Sequence, residues 1–169
     1  MAKRLPLPSA DLIQQLLHYD PLSGMFTWLV SRGGVARKGA IAGCARPCGH
    51  IVIKIGCIPF MAHRLAWVIM TGSDPELDPD HENGEPGDNR WSNLRPATFS
   101  QNRANSRRAK NNKSGFKGVS WNEREQKWVA QICENKRVKH LGYFETPEAA
   151  HAVYLTAAKQ TFGQYARAA

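Results

Sequence analysis

The stretch Asp80–Asn105 constrains the fold of this chain more than any other part of the sequence. Leu77–His81 is short and contains Pro79, which is typical of the end of an extended segment, and a turn region rich in Gly, Pro, Asn and Asp follows over 83–89. A second short segment over 93–97 returns along the first. The pattern therefore predicts a hairpin.

A helix is predicted directly after this hairpin. Thr98 and the glutamine three residues later form a capping-box pattern, and residues 99–108 contain neither Gly nor Pro. Asn102 would lie in the first turns of that helix, while His81 ends the first strand and Asn93 opens the second. The order strand, turn, strand and helix thus puts a polar side chain on each of three elements.

The residue types at these positions suit the hydrolysis of a phosphodiester. A histidine titrates close enough to neutral pH to take a proton from water, so His81 is the predicted base. A hard cation such as Mg²⁺ takes oxygen ligands, which Asp80 and the amide oxygen of Asn102 can supply. Asn93 could hold the His81 ring in one tautomer, directly or through its backbone carbonyl. We therefore predict His81 and Asn93 as catalytic residues, Asp80 and Asn102 as metal ligands, and Mg²⁺ or Mn²⁺ as the ion.

These motifs resemble those of the HNH, or ββα-metal, endonucleases, particularly the phage and intron types whose last motif residue is Asn. The likeness rests on DH at 80–81, DNR at 88–90, NLR at 93–95 and Asn102, and upstream on YDPLSGMFTW, GHIVIKI and AHRLAW. The resemblance implies a metal-dependent DNA endonuclease of the homing type, from a phage or other mobile element. The alternatives are a non-enzymatic DNA-binding regulator with a relic HNH fold, and a structure-specific nuclease of DNA packaging or repair.

The distribution of charge favours a nucleic-acid partner. The net charge of +9 comes from 23 Lys and Arg against 14 Asp and Glu, and residues 99–140 hold eleven of these basic residues but only three Glu. No amphipathic basic helix favours a membrane surface, and no obligate protein partner is evident. We expect double-stranded DNA as the partner, contacted in and around the nuclease by Arg64, Arg90, Arg95, Arg103, Arg107 and Arg108.

A histidine–arginine pair heads the helix predicted over 62–70. In the HNH family such a pair borders the active site, so Arg64 could contact a phosphate. His63 could equally be a buried structural histidine, which is favoured because a helix this apolar must pack one face.

Secreted and membrane proteins are not favoured. Met1–Pro8 carries Lys3 and Arg4 without the apolar core of a signal peptide, and no apolar run approaches membrane-spanning length. The four cysteines are too few and too unevenly spaced for a disulfide framework; they are Cys44, Cys48, Cys57 and Cys133. Cys44, Cys48, His50 and Cys57 could be imagined as zinc ligands, but the CxxxC spacing departs from that of zinc fingers. We expect an intracellular protein, in the cytoplasm or nucleoid of a bacterial host, without structural zinc.

Local signals also outline the first hundred residues. Ser9 is a candidate N-cap for a helix. The predicted elements are that helix over 10–19, a turn over 20–24, a strand over 25–30, and a hairpin of 50–55 with 58–61 that turns at Gly56 and Cys57.

The last third of the chain predicts a second, smaller domain. A polar, basic run follows the HNH-like stretch, and the segments after it alternate as strands before Thr146 and Pro147 open a helix. The predicted strands are 116–122, 126–134 and 137–144.

The whole chain is thus predicted as α+β, an HNH ββα-metal nuclease domain followed by a small three-stranded antiparallel sheet packed on one helix. The predicted domains are 1–108, with a ββα-metal core at about 77–108, a basic linker over 109–113, and 114–169.

This second domain resembles the ethylene-response-factor, or Apetala-type, DNA-binding domain. The likeness covers nearly all of 114–162 and rests on KGVSW, KWVAQI and LGYFETPEAAHAVYLTAA. It implies that one sheet face enters the major groove and that the domain sets the site preference. We expect the domain to be dispensable for cleavage itself. The predicted DNA contacts are Lys117, Trp121, Lys127, Trp128, Arg137 and Lys139, although Trp121 and Trp128 could equally belong to the core.

Overall fold

The computed structural model describes residues 6–109 and 111–167. Lys3 and Arg4 of the N-terminal segment, and Lys110 of the predicted linker, lie outside the described residues. The chain divides into two compact units, Met1–Pro96 and Ala97–Ala169. This division concerns packing alone, so the domain boundaries given by the sequence stay a prediction.

The first unit combines helices with several small sheets. Its elements are α1 (Ala10–Leu16), β1 (Leu17–Asp20), β2 (Met25–Trp28), β3 (Cys44–Ala45), β4 (Ile51–Ile55), β5 (Ile58–Met61), α2 (Ala62–Thr71), β6 (Asp78–His81), a 3₁₀ turn (Trp91–Asn93) and β7 (Leu94–Ala97). In the described residues β1 pairs with β2, β4 pairs with β3 on one side and with β5 on the other, and β6 pairs with β7. The largest fully buried side chains, which centre the core, are Ile13, Leu17, Ile53 and Leu65.

Helix α1 is shorter than its sequence predicts. Ser9 caps it as expected, its hydroxyl accepting from the Leu12 amide. The helix ends at Leu16, because Leu17 and Tyr19 are buried at the two-residue spacing of a strand and β1 pairs with β2. The apolar residues that looked like a continuing helical face therefore belong to a hairpin.

The β4–β5 hairpin and the helix after it follow the prediction. Gly56 and Cys57 take positive φ values of 56° and 67°, as a two-residue hairpin turn of the I′ type requires. Helix α2 begins directly after β5, and Gly72, in the left-handed conformation, ends it. No helix of the described residues is long and apolar enough to cross a membrane.

The second unit is an antiparallel three-stranded sheet covered by a helix. Its elements are α3 (Phe99–Asn105), β8 (Val119–Asn122), β9 (Lys127–Glu134), β10 (Arg137–Phe144), α4 (Pro147–Phe162) and a 3₁₀ turn (Gly163–Tyr165), with strand order β10–β9–β8. Helix α4 buries Ala150, Tyr154, Ala158 and Phe162 against Val119, Ala130 and Ile132 of the sheet. The α+β class and this sheet-on-helix arrangement are confirmed.

Helix α3 belongs by packing to this second unit. Thr98 caps it with the predicted capping box, and the helix ends at Asn105, after which residues 106–109 leave the helical path. Ala104 is buried in the same core as α4 and the sheet. The helix that carries Asn102 is therefore packed with the C-terminal sheet.

Candidate active site and nucleic-acid interface

Asp80 lies in a buried ion pair near the end of β6. Asp80 is only 4% exposed. Arg95 Nε on β7 donates a hydrogen bond to Asp80 Oδ2 at 3.1 Å. Arg95 also lies 3.9 Å from Glu82. The structure thus places Arg95 inside the unit, beside a predicted metal ligand, rather than on the open surface expected of a DNA contact.

His81 follows Asp80 and is buried beside Asn89. Its Nε2 lies 3.3 Å from Asn89 Oδ1, so a neutral ring donates from Nε2 and carries its basic lone pair on Nδ1. Burial lowers the pKa of His81, while the bond to Asn89 and the charges of Asp80 and Asp88 act in the opposite direction. A neutral imidazole near pH 7 is the state that a general base requires.

Asn89 is a site residue that the sequence did not identify. The sequence suggests a turn-forming role for this residue, yet its side chain is the partner of His81 and the residue is almost fully buried. The DNR motif contains Asn89, but only the folded loop shows which of its neighbouring asparagines reaches the histidine ring.

Asn93 organises the loop that precedes it. Its Nδ2 donates to the carbonyl oxygen of Asp88 at 2.8 Å and to Asn83 Oδ1 at 3.1 Å, and its Oδ1 accepts from the Asn83 amide at 3.0 Å. Its carbonyl oxygen accepts from the Glu82 amide. Asn93 therefore fixes the segment that ends at Asn89, and a direct catalytic role for it stays a prediction.

The β1–β2 hairpin supports the same loop from behind. Tyr19 donates its hydroxyl to the carbonyl oxygen of Asn89 at 2.7 Å, and burial raises the pKa of Tyr19 to about 12, so this hydroxyl remains a donor. Gly24, at φ +74°, leaves no room for a side chain, because a Cβ there would lie 2.4 Å from the Arg90 nitrogen and 2.5 Å from the Asn89 carbonyl carbon. The position of Asn89 thus depends on a hairpin far upstream in sequence.

Three histidines converge at this site from separate elements. His50 precedes β4, His63 is in the first turn of α2 and His81 ends β6. Their ring centroids are 5.0 Å apart for His63 and His81, 5.4 Å for His50 and His63, and 5.7 Å for His50 and His81. Their candidate ligand nitrogens all lie within 4.8 Å of one another.

His63 is buried, as expected, but its Nδ1 has no hydrogen-bond partner. Burial holds the pKa of His63 well below its ordinary value, and the charges of His81, His50 and Arg64 act in the same direction. Burial also lowers the pKa of His50. The cluster therefore presents neutral imidazole nitrogens near pH 7, and neither His50 nor His63 was identified from the sequence as part of the active site.

The donor types at the site fit a divalent ion. Asp80 offers a carboxylate, which hard ions prefer, and the histidines offer nitrogen donors. Asn102 lies in the other compact unit, so the sharing of one ion by Asp80 and Asn102 stays a prediction.

Two other predicted DNA contacts are paired with carboxylates. Arg64 Nη2 donates to Asp74 Oδ1 at 2.8 Å. Arg90 bonds Asp88 through Nε at 2.8 Å and Nη2 at 2.6 Å, and these bonds lower the pKa of Asp88 to about 2. Both guanidiniums therefore help to shape the loops around the site, and their contact with DNA stays a prediction.

Lys117 is engaged within the second unit. Its Nζ donates to the carbonyl oxygens of Ala104 and Ser106, the latter at 2.6 Å, at the C-terminal end of α3. Burial lowers its pKa to about 8, with smaller effects from Arg167 and Arg103. The structure thus gives Lys117 an anchoring contact where the sequence predicts a contact with DNA.

The register of the sheet decides which side chains face away from α4. Directly paired residues share a face, so Trp121 and its partner Trp128 lie on the side of the buried Val119–Ala130 pair, which α4 covers. Trp128 packs against that core, and Trp121, 40% exposed, contacts it with ring centroids 5.1 Å apart. For Trp128 the structure favours the core alternative over DNA contact, whereas Trp121 is exposed and its contact with DNA stays a prediction.

The basic side chains of the sheet lie mostly at its edges. Lys127 belongs to the open face but is paired with Glu145 at 2.9 Å, whereas Arg137 and Lys139 are exposed near the β9–β10 turn. The open face is otherwise uncharged and mixes polar with apolar side chains, and it consists of Ser120, Asn122, Lys127, Val129, Gln131, Cys133, Val138, His140 and Tyr143. A more basic surface is the cleft of about 370 Å³ whose lining includes Arg103, Arg107, Arg108 and Lys117.

Comparison with known proteins assigns the class of this site. Residues 60–104, which include Asp80, His81, Asn89 and Asn102, match the family model described as HNH endonuclease. This segment is therefore an HNH endonuclease domain, and the enzyme class predicted from the sequence is confirmed.

A phage protein is similar over a longer part of the chain. Protein 3.8 of Escherichia phage T7 is 28% identical over 106 residues, which cover 62% of this chain and 87% of that relative. No solved structure matches significantly.

Proposed function

We propose that this protein is a divalent-metal-dependent DNA endonuclease in which His81 is the general base. One observation carries the proposal: within an HNH endonuclease domain, His81 is buried, bonded through Nε2 to Asn89, and adjacent to the buried carboxylate of Asp80. Its lowered pKa keeps the imidazole neutral near pH 7.

Each side chain has a separate task in this proposal. His81 takes a proton from the attacking water at Nδ1, and Asn89 holds the ring in the tautomer that leaves Nδ1 basic. Arg95 fixes the orientation of the Asp80 carboxylate. Asp80 and Asn102 would hold Mg²⁺ or Mn²⁺, which when bound neutralises charge that develops on the phosphate and the leaving oxygen.

We further propose that the C-terminal domain gives the enzyme its site preference, in the manner of a homing endonuclease. Support comes from its three-stranded sheet with one face not covered by α4, from its likeness in sequence to Apetala-type domains, and from the exposed basic residues around it. The similarity to a phage protein supports an origin in a phage or prophage and a place of action inside the bacterial host. Double-stranded DNA is the proposed substrate.

The test separates chemistry from binding. A positioned base contributes roughly a hundred- to ten-thousand-fold to rate, so His81→Ala should lose that much single-turnover cleavage and keep its DNA affinity in Ca²⁺. Asp80→Asn should instead lose activity that high Mn²⁺ partly restores. His18→Ala, at an exposed histidine, is the matched control and should cleave like the parent.

Two results would overturn the proposal. If His81→Ala cleaves as fast as the parent at saturating Mn²⁺ and DNA, His81 is not the base. If the parent protein binds DNA but cleaves no plasmid with Mg²⁺ or Mn²⁺, the fold serves a DNA-binding regulator instead.

A further inference from the structure

The cluster of His50, His63 and His81 has a chemistry that the proposed hydrolysis does not use. Hydrolysis needs one histidine as a base, and Mg²⁺ or Mn²⁺ prefers oxygen ligands. Two more imidazoles nevertheless lie next to the base, on two other elements of the same compact unit. We propose that these three histidines form a binding site for a late first-row transition-metal ion such as Zn²⁺, and that its occupation removes His81 from catalysis.

The spacing of the three rings matches a tetrahedral site. With Zn–N bonds of about 2.0 Å, three imidazoles on one ion would have ring centroids roughly 5 Å apart. The observed separations are 5.0, 5.4 and 5.7 Å. The candidate ligand nitrogens lie within 4.8 Å of one another, so small ring rotations bring them around one ion, with the fourth position left for water or a phosphate oxygen.

His63 supplies an independent reason for a ligand at this place. Its Nδ1 is buried and has no hydrogen-bond partner, which is uncommon for a buried polar atom. A metal–nitrogen bond would satisfy that atom. Helix α2 holds His63 in place because this part of the helix is packed in the core, with Ala62 and Leu65 fully buried on either side.

The charges and donor types select the kind of ion. Neutral imidazole nitrogens suit Zn²⁺, Cu²⁺, Ni²⁺ and Co²⁺ better than Mg²⁺. Asp80 and Asp88 act electrostatically on His81 and would also stabilise a doubly charged ion beside it. The cysteines contribute little to this site: all four are exposed, although Cys48 Sγ approaches His50 Nδ1 at 3.4 Å.

The consequence for the enzyme is inhibition. A ring nitrogen that donates its lone pair to Zn²⁺ cannot accept a proton from water. Because Asp80 and Asn102 offer oxygen, added Mg²⁺ does not compete for the histidine nitrogens, so Zn²⁺ should still inhibit at saturating Mg²⁺. This consequence rests on the proposed role of His81, whereas the existence of the metal site does not.

Binding is tested on the full chain without DNA. Co²⁺ is titrated as a spectroscopic probe, Zn²⁺ is then used to displace it, and Zn²⁺ affinity is measured by calorimetry. The parent should give the intense visible bands of a tetrahedral Co²⁺ site at one equivalent. His50→Ala and His63→Gln should each lower the Zn²⁺ affinity on the order of 100-fold or more. Loss of a residue that only hydrogen-bonds to a metal ligand typically costs about 10- to 100-fold, and these variants remove a ligand itself.

Controls distinguish this site from others. His140→Ala and Cys48→Ser should keep the parent's Zn²⁺ affinity. His50 is only partly buried, so His50→Ala remains informative if His63→Gln does not fold. Unchanged affinity in His50→Ala, or its loss in Cys48→Ser, would overturn the inference.

Cleavage gives the second readout. Micromolar Zn²⁺ should suppress Mg²⁺-supported cleavage by the parent, and His50→Ala should need much more Zn²⁺ for the same fractional loss. A protein that binds Zn²⁺ through the three histidines but never cleaves DNA would keep the metal site and refute the proposed nuclease. A protein that cleaves DNA but neither binds Zn²⁺ nor is inhibited by it would keep the proposed nuclease and refute the metal site.

Discussion

At the scale of single residues, the chemistry depends on what surrounds His81. Burial lowers the pKa of its ring, and the bond to Asn89 opposes that effect. The partner is an amide rather than a carboxylate, so it orients the ring without adding a full charge. Asn89 is therefore a positioning residue for the proposed base.

We expect Asn89→Asp to move the pH dependence of cleavage. A carboxylate at this position would stabilise the imidazolium and raise the pKa of His81. In the proposed mechanism His81 must be neutral to act as the base, so the acidic limb of the single-turnover rate against pH should shift to higher pH. Asn122→Asp, in the other compact unit, is the matched control. An acidic limb that stays where it is in Asn89→Asp would mean that Asn89 does not act on the base.

The Asp80–Arg95 pair makes a different prediction, about stability. Removal of one partner of a buried ion pair leaves an uncompensated charge and typically costs about 3–5 kcal/mol. Arg95→Met should therefore lower the free energy of unfolding by about that amount in urea titrations. The double variant Asp80→Asn with Arg95→Met should recover part of the loss. Arg64→Met should cost less, because Asp74, the partner of Arg64, has a side chain that is 48% exposed.

At the scale of elements, α3 is tied to the sheet of the second unit. Lys117 bonds two carbonyl oxygens at its C-terminal end, and Ser100 Oγ accepts from the Asn135 amide at the β9–β10 turn. These contacts hold the helix that carries Asn102. The C-terminal sheet is therefore expected to support cleavage as well as site preference, which revises the expectation that it is dispensable.

Lys117→Met is the sharpest test of this support. It keeps most of the side-chain volume and removes hydrogen bonds from a charged donor, each worth about 1.5–3 kcal/mol. Amide hydrogen exchange over 99–105 should become faster and cleavage should fall, whereas Lys127→Met, on the open face of the same sheet, should leave the exchange of α3 unchanged. Equal exchange in the Lys117 variant and the parent would show that the bonds do not hold α3.

Sequence signals predicted these elements best where the cause is local. The capping box at Thr98, the positive-φ turn at Gly56 and Cys57, and Pro147 at the start of α4 all act within a few residues, and the structure contains each. The predicted end of α1 was wrong because the pairing of β1 with the distant β2 decides it.

The residues of the candidate site also divide into those that a local motif identifies and those that only the fold brings together. Asp80 and His81 are neighbours in a motif, so their spacing identifies them. His50, His63 and Asn89 meet His81 only because separate elements fold together. No spacing along the chain contains that information.

At the scale of the whole molecule, the net charge of +9 suits a polyanionic partner, but some of the basic residues are held in ion pairs within the protein. Arg64, Arg90 and Lys127 are each paired with a carboxylate. The cleft in the second unit is lined by Arg103 in the last turn of α3 and by Arg107 and Arg108 directly after it. Because three arginines line one surface, we expect this cleft, more than the open face of the sheet, to carry the electrostatic part of DNA binding.

The triple variant Arg103→Gln, Arg107→Gln and Arg108→Gln tests that expectation. Removal of each guanidinium that binds a phosphate should reduce the slope of log affinity against log salt concentration by about one. Anisotropy measured with double-stranded DNA over a series of KCl concentrations should thus give a slope that is shallower by up to about three. Arg124→Gln with Lys127→Gln is the control pair, and an unchanged slope in the triple variant would place the phosphate-binding residues elsewhere.

The close approach of Gly24 to Asn89 bears on how such a nuclease can be inherited. The segment that matches the HNH family begins at residue 60, yet the wall behind Asn89 is built by Tyr19, Pro21 and Gly24. A recombination event that transferred residues 60–104 alone would move the base and leave its support behind. The β1–β2 hairpin therefore belongs to this candidate site, and a change that displaced the hairpin from the loop would remove the support of Asn89 with every signature residue intact.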